Sequence, residues 1–240
     1  MRKNKSMKII ALGDTHGRLN WKDIVAKETD VDKVVFIGDY FDTHDDVTPE
    51  QQINNFLEIV EYKRANMDKV VLLIGNHDFH YMGFIPETYS GYQYGASKRI
   101  NEILKEALTD KLLQMCFVHD IFVFTHAGVT KTWAKSADID LNDLENSINE
   151  KFFTQPRYFG FTMGDNWSQT GNDVTQPPIW VRPQSLLSDA LDEVVYVVGH
   201  TTVSKLGLMK ELPNLILIDC LGTTGEYLYI DGDVATAKKP

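Results

Sequence analysis

The chain has 240 residues, 43% of them apolar, which is enough for one α/β domain to bury a core without disulfides and excludes a disordered chain. A formal net charge of −10, from 24 basic and 34 acidic residues, argues against duplex nucleic acid as the main partner, because phosphate neutralisation needs a basic footprint. No apolar run approaches the roughly 18 residues of a membrane span, and two lone cysteines, Cys116 and Cys220, read as reduced thiols of a cytoplasmic protein.

Residues 1–6 are basic and precede an apolar stretch too short for a signal peptide, so they read as a flexible leader on a single domain. Lys8 to Leu12 reads as a buried strand and runs into Gly13-Asp14-Thr15-His16-Gly17. Val34 to Ile37 reads as a second, ending in Gly38-Asp39-Tyr40-Phe41-Asp42. Thr48 and Pro49 open a helix over Pro49 to Arg64, with a hydroxyl cap, proline in the first turn and a stripe of Ile53, Phe56, Leu57 and Val60. Val70 to Ile74 reads as a third strand, followed by Gly75-Asn76-His77-Asp78. Strand, helix, strand at this spacing predicts parallel βαβ units. A loop rich in Tyr, Gly and Pro begins at Phe84, and a helix is expected over Lys98 to Leu113.

A turn at His119-Asp120 leads to a strand over Ile121 to Phe124 and then to Thr125-His126-Ala127-Gly128. Residues 131–176 form a long polar insertion with a helix at Asn142 to Phe153, read as a partial cap over the site. Its aromatic residues Trp133, Tyr158, Phe159 and Trp167 either line the substrate mouth or pack within the insertion. Val194 to Val198 and Leu215 to Ile218 are later strands, the first ending in Gly199-His200-Thr201, and Glu226 to Ile230 is read as the final strand before the turn Asp231-Gly232-Asp233.

Five motifs bearing Asp, His or Asn thus follow apolar runs, where one sheet edge would gather them. Carboxylate, imidazole and carboxamide donors in such number hold paired divalent metals. The spacing assigns Asp14, His16 and Asp39 to one ion, and the bridging Asp39, Asn76, His126 and His200 to a second. A hydroxide bridging the ions would be the nucleophile. His77 suits protonation of the leaving group, with Asp42 on its other ring nitrogen. Arg182 is the candidate phosphate clamp. Asp78 reads as a hydrogen-bonding support for the ligands, Asp219 as a turn or support residue, and His44, His80 and His119 as exposed or turn residues.

The motifs at 13–17, 38–42, 75–78, 125–128 and 199–201 resemble those of the calcineurin-like metallophosphoesterases, in order, over about residues 7–230. The resemblance implies a four-layered αββα sandwich with a dimetal site at the strand carboxyl ends and a charged His77–Asp42 pair. Thr202, where many phosphodiesterases have a second histidine, and the Trp-x-Arg segment at Trp180–Arg182 point to the PPP-type branch in its small bacterial and phage form. That branch usually places an arginine after the second aspartate of GDxxD, where this chain has Thr43, and GNHE where it has Gly75-Asn76-His77-Asp78. Arg182, Arg18 or His44 are left to take that arginine's place. The expectation is a cytoplasmic, monomeric hydrolase of phosphomonoesters, including phosphoproteins, with two divalent ions. Mn²⁺ is the first choice, and Fe, Zn, Ni and Co also suit the donors. The alternatives are a dinucleoside polyphosphate or nucleotide hydrolase, a phosphodiesterase, or a metal-binding regulatory module without turnover. Duplex nucleic acid and membrane are not expected partners.

Overall fold

A computed structural model describes residues 6–43, 45–164, 167–208 and 214–240. The expected leader, apart from Ser6, and His44 lie outside the described residues. In chain order the regular elements are β1 (Lys8–Leu12), α1 (Trp21–Lys27), β2 (Lys33–Phe36), α2 (Pro49–Ala65), β3 (Val70–Leu73), α3 (Asn76–Phe79), α4 (Ser97–Thr109), β4 (Leu113–Gln114), β5 (Phe117–His119), β6 (Phe122–Phe124), α5 (Lys131–Ser136), α6 (Leu144–Thr154), α7 (Pro183–Ser188), β7 (Val195–Val198), β8 (Gly207–Leu208), β9 (Leu215–Leu217), β10 (Tyr227–Asp231) and β11 (Val234–Lys238). They form two sheets flanked by helices, one ordered β11-β10-β1-β2-β3-β4 and the other β5-β6-β7-β9-β8.

The first three strands pair in parallel, as the βαβ reading requires. Their side chains are apolar on both faces, and the period of two divides them. Ile9, Ala11, Val35, Ile37, Val71 and Leu73 meet Phe122, Phe124, Val197 and Ile216 in one core. Ile10, Leu12, Val34, Phe36, Val70 and Leu72 join Trp21, Ile24, Phe56, Ile59, Ile100 and Leu104 from α1, α2 and α4 in another. Two sheets packed face to face with helices outside make four layers. The four motif strands β1, β2, β3 and β6 plus β7 run into the loops that carry the polar residues.

Helix α2 is capped as its sequence implies: Thr48 Oγ1 accepts from Gln51 N, and Gln51 Oε1 accepts from Thr48 N. Its Phe56, fully buried, lies 4.9 Å from the ring of Tyr40 and 5.2 Å from that of Phe41. The helix therefore braces the segment between Asp39 and Asp42.

Several expectations change. The helix expected to reach Leu113 ends at Thr109, because Lys111 turns the chain at φ +56° and Leu113 pairs with Leu72 instead. Phe117–His119 is a strand, and the turn at Asp120, φ +50°, closes a hairpin with β6. Tyr227–Asp231 is not the last strand; the turn after it leads into β11, which pairs with β10. In the insertion, Phe159 packs 5.4 Å from Trp133 and 5.6 Å from Phe152, while Tyr158 and Trp167 are exposed. Among the described residues no helix is long and apolar enough to cross a membrane.

Phe56→Ala should lower unfolding free energy by about 3–5 kcal/mol, the usual cost of an aromatic cavity in a core. Urea denaturation measures it. A loss under about 1 kcal/mol would show that α2 does not brace the Asp39–Asp42 segment through this side chain.

Candidate metal centre

The five motifs come together. Asp14, His16, Asp39, Asn76, His77, Asp42, Arg182 and His200 line one cavity of about 280 Å³, joined by Arg18, Tyr89, Ser90, Trp180, Thr202, Asp219, Gly222 and Thr223. His126 lies beneath it, fully buried, with Nε2 3.3 Å from Asp39 Oδ2. The site sits where strands end because the chain must turn there. His16, Asp39, Asp42 and His200 all adopt positive φ, at +44°, +53°, +64° and +62°. That conformation is uncommon outside glycine and concentrates at functional sites. The glycines between them have a different reason. A Cβ on Gly75 would overlap Asp39 Oδ1, and one on Gly199 would overlap Asp14 Oδ1, so the carboxylates rest directly on backbone.

Three imidazoles share one arrangement. His16 Nδ1 is 2.6 Å from Phe41 O, His126 Nδ1 is 3.0 Å from Ile37 O, and His200 Nε2 is 3.1 Å from Trp180 O. A ring nitrogen bonded to a carbonyl carries the proton, so each neutral ring keeps a lone pair on its other nitrogen. Those nitrogens turn inward: His126 Nε2 and His200 Nδ1 lie 3.0 and 2.9 Å from Asn76 Oδ1, and His16 Nε2 lies 3.9 Å from Asp39 Oδ2. Lone pairs facing lone pairs repel unless a proton or a cation stands between them. Asp14, Asp39 and His126 place ligand atoms within 4.8 Å of one another. The donor set of carboxylate, carboxamide and imidazole suits borderline divalent ions, so these residues fit the metals their chemistry implies.

The electrostatics make the same point. Burial first, then Asp219 and Asp39, pushes the Asp14 carboxyl well above its ordinary range. Burial opposes the charge on Asp39 too, but His126, His77 and His16 hold it well below that range. Burial works against a charged His126, yet Asp39 and Asp14 raise it to about 9. Burial, with Arg182 and His126, keeps His200 well below the ordinary imidazole value. Divalent cations would replace those protons as the balancing charge.

Beside this cluster, His77 Nδ1 is 3.0 Å from Asp42 Oδ2. Burial would lower His77, but Asp39 and Asp42 overcome it and raise the imidazole to about 9. Asp78 supports the turn from beneath: its carboxylate accepts from the backbone N–H groups of Asp39, Tyr40 and Gly75. Arg182 reaches the cavity wall with Nη1 donating to His200 O at 2.8 Å and Thr201 Oγ1 at 3.1 Å, and Nε to Thr170 O at 2.9 Å.

The sequence leaves some wall residues open and misses others. Asp219, read as a turn or support residue, supports the wall: it is 5% exposed, lines the cavity and accepts from Thr202 Oγ1 at 2.7 Å. Arg18, bonded through Nε to Asp45 Oδ2 at 2.7 Å, occupies the wall over Gly222, whose missing side chain leaves room for the guanidinium. Arg18 is one of the three residues that the sequence leaves to stand in for the arginine absent after Asp42. Tyr89 and Ser90 had no signal, since they come from a loop without a motif. His80 is corrected outright. It is 3% exposed, with Nε2 2.7 Å from Asp42 Oδ2. Among the described residues of 131–176 none lines the cavity; its wall comes from Tyr89–Ser90 and Trp180–Arg182 on either side of that insertion.

A family model described as calcineurin-like phosphoesterase matches residues 7–211. No curated protein matches the chain. Among solved structures, a protein serine/threonine phosphatase from Saccharomyces cerevisiae with similarity to human phosphatase PP5 aligns with a TM-score of 0.59 and 15% identity, over 100% of this chain and 82% of that one. The two share a fold. Yfce, a phosphoesterase from E. coli, aligns with a TM-score of 0.41 and 13% identity, over 97% of this chain and 93% of that one.

Gly199→Ala should displace Asp14 and weaken divalent-metal binding by about 10–100-fold, the range seen when ligand supports are lost. Calorimetric titration with Mn²⁺ reads it, and unchanged affinity would separate Asp14 from the metal centre.

Proposed function

Because the chain belongs to the calcineurin-like phosphoesterase family, and is thereby a metal-dependent phosphoesterase and a hydrolase, we propose that it hydrolyses phosphomonoesters at the cavity described above. One observation carries this reading: three imidazoles, each anchored to a backbone carbonyl, turn their free nitrogens toward Asp39 and Asn76, with His77 held by Asp42 beside them. Asp14, His16 and Asp39 would hold one ion, and Asp39, Asn76, His126 and His200 the other. When bound, divalent cations supply charge neutralisation for phosphoryl oxygens and acidify water for attack on phosphorus. Mn²⁺ is our first choice of ion.

His77 protonates the departing oxygen. Asp42 holds Nδ1, so Nε2 is the nitrogen that delivers the proton. Burial of Asp42 opposes its charge, but His77, His80 and Tyr81 keep it below the ordinary range, so it remains an acceptor. Arg182 and Arg18 both open on the cavity and supply guanidinium charge for phosphate oxygens. No arginine follows Asp42, and the two guanidiniums come from separate segments. That favours, as a second reading, a substrate with more than one phosphate, such as a dinucleoside polyphosphate. We read the chain as one such domain carrying the 131–176 insertion, acting as a cytoplasmic monomer.

Steady-state rates with Mn²⁺ on p-nitrophenyl phosphate, bis-p-nitrophenyl phosphate and diadenosine tetraphosphate test the assignment. Monoester turnover should exceed diester turnover. A diester preference would overturn it, and a preference for the tetraphosphate would establish the second reading. His77→Asn should keep metal affinity while slowing alkyl phosphates by about 10²–10⁴-fold, the range of general acid catalysis. It should slow p-nitrophenyl phosphate much less. Equal slowing would remove the acid role.

The His77 imidazolium is the active form and is lost as pH rises. Its value of about 9 reflects an Asp39 charge that bound cations partly offset. The alkaline limb of kcat for alkyl phosphates should therefore lie between about 6.5, the free imidazole value, and about 9. It should vanish in His77→Asn.

A further inference from the structure

Asp42 carries more donors than a simple acid pair needs. Oδ2 meets His77 Nδ1 at 3.0 Å and His80 Nε2 at 2.7 Å, while Oδ1 accepts from the Tyr81 hydroxyl at 2.5 Å and Gln93 Nε2 at 3.0 Å. Tyr81 and Gln93 donate in line, whereas the buried His80 Nε2 meets Oδ2 at ion-pair distance but off the hydrogen-bond line. His80 and Tyr81 stand just past the His77 motif, and Gln93 comes from the loop that begins at Phe84. That loop approaches closely. Gly91, at φ +86°, passes so near that a Cβ there would stand 3.0 Å from Asp42 Cβ. Gln93 N donates to the Tyr81 hydroxyl at 2.7 Å.

The imidazole of His80 joins the two parts. It is enclosed by tyrosines, stacked on Tyr89 at 5.3 Å and edge-on to Tyr81 at 4.4 Å and Tyr92 at 4.9 Å. Its Nδ1 accepts the backbone N–H of Tyr89 at 3.1 Å. Acceptance at Nδ1 puts the proton of the neutral ring on Nε2, the nitrogen next to Asp42. Tyr89 in turn lines the cavity with Ser90, its ring 4.4 Å from that of Trp180. Asp42, His77 and His80 also have the mutual distances of a metal cluster. The bonds argue otherwise: the Tyr89 N–H occupies the remaining nitrogen of His80, and Tyr81 and Gln93 donate to Oδ1 of the carboxylate.

We propose that His80 is a positioning residue that ties the substrate-facing wall to the acid pair, with Nε2 seated against the Asp42 carboxylate and Nδ1 holding the loop that presents Tyr89 and Ser90 to the organic part of the phosphoester. This rests on the phosphoesterase reading above. One ring thereby sets both the orientation of the His77–Asp42 pair and the placement of the wall against which a leaving group rests.

Two substitutions divide the roles. The carboxamide oxygen of Asn falls near the place of Nδ1, so His80→Asn keeps an acceptor for Tyr89 N–H and loses the nitrogen that faces Asp42. The carboxamide nitrogen of Gln falls near Nε2, so His80→Gln keeps that nitrogen and loses the acceptor. His80→Asn should lower kcat on alkyl phosphates about tenfold, the scale of one buried polar contact, with KM within about twofold. His80→Gln should raise KM about tenfold with kcat within about twofold on the same scale. Matching profiles for the two variants would overturn the coupling. Should either fail to fold by circular dichroism, the Zn²⁺-loaded wild-type protein decides: long-range ¹H–¹⁵N spectra should show His80 as the Nε2–H tautomer, and an Nδ1–H tautomer would refute the proposal. A wild-type protein inert on every phosphoester would sink the phosphoesterase reading instead, leaving the tautomer to settle the coupling.

Discussion

Buried negative charge at the ends of parallel strands is the constraint around which this protein is arranged. Asp14, Asp39 and Asp219 are each no more than 5% exposed; His126, His77 and His16 hold the charge on Asp39, while burial and the neighbouring acids push Asp14 up. Such a cluster tolerates only arrangements that supply positive charge from inside. The histidines accordingly do two things at once. One nitrogen anchors to a carbonyl and the other faces the acids, so ring orientation follows from the backbone. The same rule extends to Asp42, whose charge is held by His77, His80, Tyr81 and Gln93.

The backbone bears the cost of bringing these groups together. Non-glycine residues at positive φ are His16, Asp39, Asp42 and His200 within the site, so strain and chemistry coincide. Gly75 and Gly199 allow carboxylates to lie against the main chain, which a side chain at either position would prevent. The two apolar cores on either side of the first sheet hold this geometry fixed. The loop from Phe84 onward packs Phe84, Ile85, Tyr89 and Tyr92 against the edge of one core and is further tied to the site by His80, Tyr81 and Gln93. That is how a segment with no motif of its own reaches the mouth.

The alternation of polar clusters with apolar runs was legible because both signals are local. Strands β1, β2, β3 and β7 and helix α2 are found within a residue or two of their expected ends. The candidate donors Asp14, His16, Asp39, Asn76, His126 and His200 could be named because each follows a strand at a short, regular offset. Leu113 was placed in a helix because its apolar period fits either state, and only pairing with Leu72 decides for strand. His80 read as an exposed or turn residue because a lone histidine beyond a motif has no period or partner in its own segment. Its partners, Asp42 and Tyr89, are 38 residues before it and nine after it.

By itself the sequence determined the strand ends that carry the candidate donors and the pairing of His77 with Asp42, since these follow from short-range pattern and residue chemistry, whereas the four-layer order followed from the family resemblance those motifs carry. The tertiary structure alone decided which nitrogen of each anchored histidine faces inward, that Asp219 and Arg18 share the wall with Arg182, and that Tyr89 borders the cavity while none of the described residues of 131–176 does. Those outcomes depend on which carbonyls and side chains from remote segments arrive at hydrogen-bonding distance, and no local pattern encodes that distance.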